Sequence, residues 1–110
     1  MKKILINISN HPSAKWSEEQ TKAASKIAKT TVDMPFPAIN PRATTEQLQE
    51  KSREWLQLLT LQDDAAYHVM GEQGFCFLLI QGLWGRGAEV WHSTTERLET
   101  GFNFVAFRKY

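Results

Sequence analysis

Strand-like and helix-like segments alternate along this chain, and that alternation limits its folds more than any other feature. Lys3 to Ile8 is rich in branched residues (Ile4, Leu5, Ile6 and Ile8) and reads as a buried opening strand. A polar loop, Ser9-Asn10-His11-Pro12-Ser13, follows, and Pro12 keeps it out of helix. Ser17-Glu18-Glu19-Gln20 then has the form of a capping box, with two carboxylates in the first turn. The stripe Trp16, Ala23, Ala24, Ile27 and Ala28 follows helical spacing, which predicts a helix over about 17–29.

Thr31 to Met34 reads as a second strand, and Pro35, Pro37 and Pro41 enforce an extended connection after it. Thr44 or Thr45 caps a second helix over roughly 45–60, with Leu48, Trp55, Leu56 and Leu59 facing inward. Ala65 to Met70 is the third strand, and Gly71-Glu72-Gln73-Gly74 its loop. Phe75 to Trp84 is apolar nearly all round, as in a helix packed on more than one side, and Gly85 and Gly87 stop it. Glu89 to His92 makes a fourth strand and Phe102 to Arg108 a fifth.

The order β-α-β-α-β-α-β-β predicts one α/β domain over residues 1–110, Rossmann-like or flavodoxin-like, with a mostly parallel sheet. Too little chain separates the last two strands for a crossover helix, so the fifth should lie antiparallel at an edge. The expected strand order is 2-1-3-4, with the extra strand beyond. A chain of this size buries roughly two-thirds of its unfolded surface, enough for one core.

Charge narrows the partners. The formal net charge is +1 and no run of Lys or Arg exceeds two, so the basic face that duplex DNA requires is absent. The apolar run after Met1-Lys2-Lys3 stops at Asn7, short of a secretory signal's roughly 7–15 apolar residues. No stretch approaches the about 20 apolar residues of a membrane span, so a cytoplasmic protein is expected. Cys76 is the one cysteine; among Phe75, Phe77 and Leu78 it reads as a buried thiol and leaves no disulfide or multi-cysteine metal site. His68 and His92 fall inside strands without a paired carboxylate motif, so no metal site is assigned to them. No cofactor is expected, and no P-loop, G-x-G-x-x-G or G-x-S-x-G occurs.

In open α/β sheets, ligands bind outside the carboxyl ends of the strands, near the point where strand order reverses. That rule selects Ser9, Asn10 and His11 after strand one, and Gly71, Glu72 and Gln73 after strand three. After strand four it selects Ser93, Thr94, Thr95, Glu96 and Arg97. Together these offer hydroxyls, amides, backbone N–H groups, an imidazole and a guanidinium, a set suited to phosphate and base edges. Each also has a bland reading. Ser9 and Asn10 serve local turns, Gly71 a positive-φ turn, and Thr94 to Arg97 a helix cap with a surface ion pair. Their convergence on one sheet edge is what argues for a site. Trp16, Trp55, Trp84 and Trp91 read as core residues, with Trp16 nearest the first loop.

The segments "ILINISNHPSAKWSEEQ", "DMPFP", "HVMGE", "STTER" and "FNFVAFRKY" together resemble the small stand-alone CRISPR-associated Rossmann-fold proteins of type III CRISPR antiviral defence. The resemblance covers nearly the whole chain and rests on the joint order of these segments. It implies that the protein binds cyclic oligoadenylate, a second messenger, in a pocket across a homodimer. The same three loops would hold it, and Trp16 is placed to stack on an adenine. Thr100-Gly101, the connection between Glu99 and Phe102, is shorter than in such proteins, which implies a more open ligand. Two mechanisms follow. A sponge sequesters the messenger, whereas a metal-independent ring nuclease cleaves it through 2′-OH attack, with His11 or Glu72 as general base. A ligand-free adaptor would instead present a flat surface at the strand ends. A magnesium-binding flavodoxin or response-regulator role conflicts with Ser9-Asn10, which stand where carboxylates would be needed.

Overall fold

The computed structural model describes residues 1–59 and 64–110. β1 (Lys2–Ile8) is an interior strand of the sheet and buries both its faces. Ile6 and Ile8 enter one apolar layer and Leu5 the other, the pattern of a parallel strand covered on both sides. After a 3-10 turn over Ser13–Lys15, α1 (Glu18–Ile27) starts where the capping box places it. There the Ser17 hydroxyl accepts the Gln20 N–H at 3.2 Å.

α1 stops two residues short of the expected end, because Ala28 is already extended and opens β2 (Ala28–Asp33) with no loop between. Ala28 pairs with Lys2 of β1 and is buried with Leu5, Ala24 and Ala66. This non-local pairing outweighs the helical preference of Ala28 and Lys29, and the β-branched Thr30, Thr31 and Val32 extend it. α2 (Thr45–Leu59) begins with a reciprocal cap: Thr44 Oγ1 accepts the Gln47 N–H at 3.2 Å, and Gln47 Oε1 accepts the Thr44 N–H at 2.9 Å. Position 60 of the expected helix lies outside the described residues. β3 (Ala65–Val69) is buried at every position. α3 (Gln73–Gly85) then opens two residues earlier than its apolar run.

The five strands lie in the order β2-β1-β3-β4-β5; the first four are parallel, and β5 is antiparallel at the edge. The order expected from the sequence is therefore the one found. α2 and α3 cover one face, where Phe75, Leu79 and Leu83 of α3 pack over Ile6, Ile8, Val69 and Val90 of the sheet. α1 covers the other through the smaller Ala24, Ala28 and Ala66. Trp55 stacks edge-on against Phe75 at 5.6 Å, and a side chain at Gly82 would collide with Leu56 of α2. α3 is thus packed on two sides. Its outer stripe is open, and Trp84, read from the sequence as core, is 53% exposed.

The main departure is at the carboxyl end. β4 (Glu89–Leu98) is ten residues long, where the sequence suggested four, and β5 spans Gly101–Lys109. β4 pairs with β3 only through Glu89, Val90 and Trp91, then continues as an antiparallel arm with β5. Glu99 and Thr100 form the tip, and Gly101 at φ +131° takes a conformation that suits glycine. The register shifts by one β5 residue opposite Thr94 and Thr95, so Val105 forms a bulge.

Candidate functional site

Each of the first three strands in sheet order carries a polar residue at or beside its carboxyl end: Asp33 on β2, Asn7 on β1 and His68 on β3. Strand register places Asn7 between the other two. Asn7 is 1% exposed and His68 2%, so their polar atoms need partners. Asn7 Nδ2 donates to Asp33 Oδ1 and to the His11 carbonyl, both at 2.9 Å. Asn7 Oδ1 accepts from the Ser9 hydroxyl at 2.8 Å and meets His68 Nδ1 at 2.8 Å. Because that oxygen can only accept, His68 carries its proton on Nδ1. Nε2 is then left as the acceptor facing the Ser93 hydroxyl at 3.3 Å.

Trp16 and Phe107 pack edge-on against the His68 ring, at 5.7 and 5.3 Å. Burial, and after it the His92 and His11 imidazoles, pushes His68 down to about 4, so it is neutral at physiological pH. Partial burial works to raise Asp33, but hydrogen bonds from Asn7 and from the Ser13 N–H and O–H outweigh it and hold the carboxyl below its usual range. Cys76 is buried as expected, and burial, with the Glu72 charge, pushes its thiol up to about 11, far from a reactive thiolate.

The residues selected from the sequence divide over this framework. Ser9 and Asn10 line a concavity of about 170 Å³ with Asn7, Pro12, Asp33, Pro35 and Phe36, so the strand ends are not flat. The Ser9 oxygen also accepts the His11 N–H at 3.2 Å. The His11 carbonyl takes the Trp16 indole N–H at 3.2 Å, while the residue as a whole is exposed. Gly71 and Gln73 line a different groove, of about 320 Å³, with Met70, Cys76, Phe77, Ile80 and Tyr110. Gly71 does not supply positive φ; it makes room for the Phe36 ring, which any side chain there would strike. Glu72 caps α3 by accepting the Phe75 N–H at 2.7 Å. That helix terminus already carries a carboxylate, which disfavours a phosphate beside it.

Thr94, Thr95, Glu96 and Arg97 do not form a loop after a short strand; they lie within β4 on the arm. Alternation then separates them, with Thr95 and Arg97 on the face of Ser93 and Thr94 and Glu96 on the other. Thr94 Oγ1 donates to the Ala106 carbonyl at 3.2 Å, and Glu96 accepts from Asn103 at 3.2 Å. Arg97 has no carboxylate partner among the described residues. Parallel β1, β3 and β4 bring all three sets to one end of the sheet, but the chain does not gather these eleven residues around a single cavity.

The sequence reading missed Asn7 and Asp33 and set His68 aside as a strand residue. The available signal was Asn7 itself, an amide breaking an otherwise branched, buried strand two residues before Ser9. A larger concavity, about 650 Å³, lies at the opposite end of the sheet between α1 and β5. Its carboxylates are already engaged, Lys2 with Asp64 at 3.9 Å and Lys109 with Glu89 at 3.4 Å. It also lies at the amino ends of the strands, so the strand-end position and the buried polar row outweigh its size. Among the described residues, no three His, Cys, Asp or Glu side chains come together as metal ligands, and no helix is long and apolar enough to cross a membrane.

The strand order and the two-sided helix cover define a flavodoxin-like α/β protein with its polar end at the carboxyl ends of the strands. The family model described as "Uncharacterized protein MJ1673 family" matches residues 3–108, and the chain belongs to that family. No curated protein and no solved structure matches it.

Proposed function

We propose that this protein binds a cyclic oligoadenylate, with cyclic tetra-adenylate as the leading ligand, and lowers its free concentration by holding it. The observation that carries this reading is the polar end of the sheet. The Asp33–Asn7–His68–Ser93 row fixes the 9–11 loop from beneath, while His11 is exposed and Arg97 has no carboxylate partner among the described residues. Ser9, Asn10 and Thr95 add donors and acceptors for phosphate and base edges. Because one protomer spreads these groups over separate surfaces, a homodimer suits the ligand better. A two-fold axis would present every group twice to a ring that has two-fold symmetry itself.

Holding is favoured over cleavage by what the candidate bases are doing. Glu72 is engaged as a helix cap, and His68 is buried under two aromatic rings. The exposed His11 supports the second reading, in which its imidazole assists a ribose 2′-OH in attacking the adjacent phosphorus and leaves a 2′,3′-cyclic phosphate.

Excess protein incubated with cyclic tetra-adenylate without metal, followed by gel shift and chromatography, separates the two. Intact bound ligand is the expected result. Linear or 2′,3′-cyclic phosphate products would make the protein a ring nuclease, and His11→Ala should then keep binding while losing the products. Absence of binding to cyclic adenylates of any size would refute both. Arg97→Ala is expected to weaken binding by about 1.5–3 kcal/mol, the scale of a charge-assisted hydrogen bond. Unchanged affinity in that variant would remove Arg97 from the site.

A further inference from the structure

We propose that the β4–β5 arm is a base-stacking platform, on which Phe102 and Phe104 receive the adenine rings of the ligand while Arg97 holds an adjacent phosphate. The inference rests on the reading above and assigns the bases of that ligand a surface. The register pairs Arg97 with Phe102, Thr95 with Phe104 and Ser93 with Phe107, and directly opposed residues share a face. That face is the one on which Ser93 meets His68 and Phe107 packs on Trp16 and His68.

Phe104 and Phe107 are three residues apart, so in a regular strand they would point to opposite faces. The bulge at Val105 brings them to the same side, with ring centroids 5.1 Å apart. A continuous series therefore runs Phe102, Phe104, Phe107, Trp16 toward the 9–11 loop. It begins open, with Phe102 76% exposed, and becomes half-buried further on. Aromatic faces suit any base, and the Thr95 hydroxyl and Arg97 guanidinium opposite Phe104 and Phe102 suit the sugar-phosphate. Arg97, without a carboxylate partner among the described residues, argues for an anionic occupant over a second apolar face.

The test titrates labelled cyclic tetra-adenylate and, in parallel, linear octa-adenylate against wild type, Phe102→Ala, Phe104→Leu and Phe104→Trp, with the mass of each in solution recorded. Phe104→Leu keeps apolar volume but removes the ring. It and Phe102→Ala are expected to bind roughly 5- to 150-fold more weakly, the range of one base–aromatic stack, and Phe104→Trp to bind at least as well as wild type. Wild-type affinity in both ring-deleted variants overturns the platform. So does a fall from dimer to monomer in Phe102→Ala with affinity per protomer intact, which assigns the stripe to self-association. If wild type holds only the linear adenylate, and the two variants lose it, the platform stands and the cyclic-ligand reading falls. Binding of neither adenylate overturns both.

Discussion

Asn7→Leu is expected to lower the unfolding free energy by about 3–5 kcal/mol, the sum of two or more buried polar groups left without partners. Leucine keeps roughly the same volume, so little of this loss would come from a cavity. It removes the acceptor of the Ser9 hydroxyl and of His68 Nδ1, and the donor to Asp33 and to the His11 carbonyl. Urea unfolding followed by circular dichroism measures the difference. A variant within about 1 kcal/mol of wild type would mean that the network contributes little net stability and that its bonds are replaceable by water. Asn7→Asp makes a useful contrast. It keeps an acceptor for His68 but sets a second carboxylate against Asp33, so it should also be destabilised and should raise the His68 pKa.

Acid should weaken the fold well above the range where carboxylates titrate. In the unfolded chain His68 takes up its proton near 6.5, whereas in the fold it does so only near about 4. Between these values the unfolded state binds more protons, so stability falls as pH drops from 6.5 toward 4 and this contribution levels off below. The span corresponds to about 3 kcal/mol. His92, lowered by burial and by Arg108, acts in the same direction, and Asp33 adds to the loss only below its ordinary value of 3.8. Burial strips the His68 cation of its hydration, one ring N–H is already donated to Asn7, and His92 and His11 repel the charge. Denaturation midpoints at pH 7.5, 5.5 and 4.5 should therefore decline in wild type and much less in His68→Gln. Equal slopes in the two would place the acid-sensitive group elsewhere.

What the sequence made legible was what neighbouring residues decide among themselves. Ser17 and Thr44 announced their helices through side chains a few positions away, and branched residues marked β1 and β3. The errors lie where a distant partner decides. Ala28 reads as helix until Lys2 pairs with it. Ser93 to Arg97 read as a polar loop until residues 102–107 supply the opposite strand, although two β-branched threonines before a turn ending in glycine were a local hint. The candidate site divides in the same way. Ser9 and Asn10 were found by a topological rule, but the links from Asn7 to Asp33 and to His68 join residues 26 and 61 positions apart. No pattern within one segment contains them.

The interior place of β1 also has a bearing on how the chain is made. β1 leaves the ribosome before both of its partners, β2 and β3, and the second follows only after the whole of α1, β2 and α2. Until then Leu5, Ile6 and Ile8 have lost one edge to β2 at most, and Ile6 and Ile8 still lack the α3 cover that completes their layer. The β4–β5 arm, by contrast, closes across a two-residue tip and needs no distant partner. During synthesis the β4–β5 arm is thus the quickest to pair, while β1 waits longest for its cover, and chaperone contact should fall on residues 2–8.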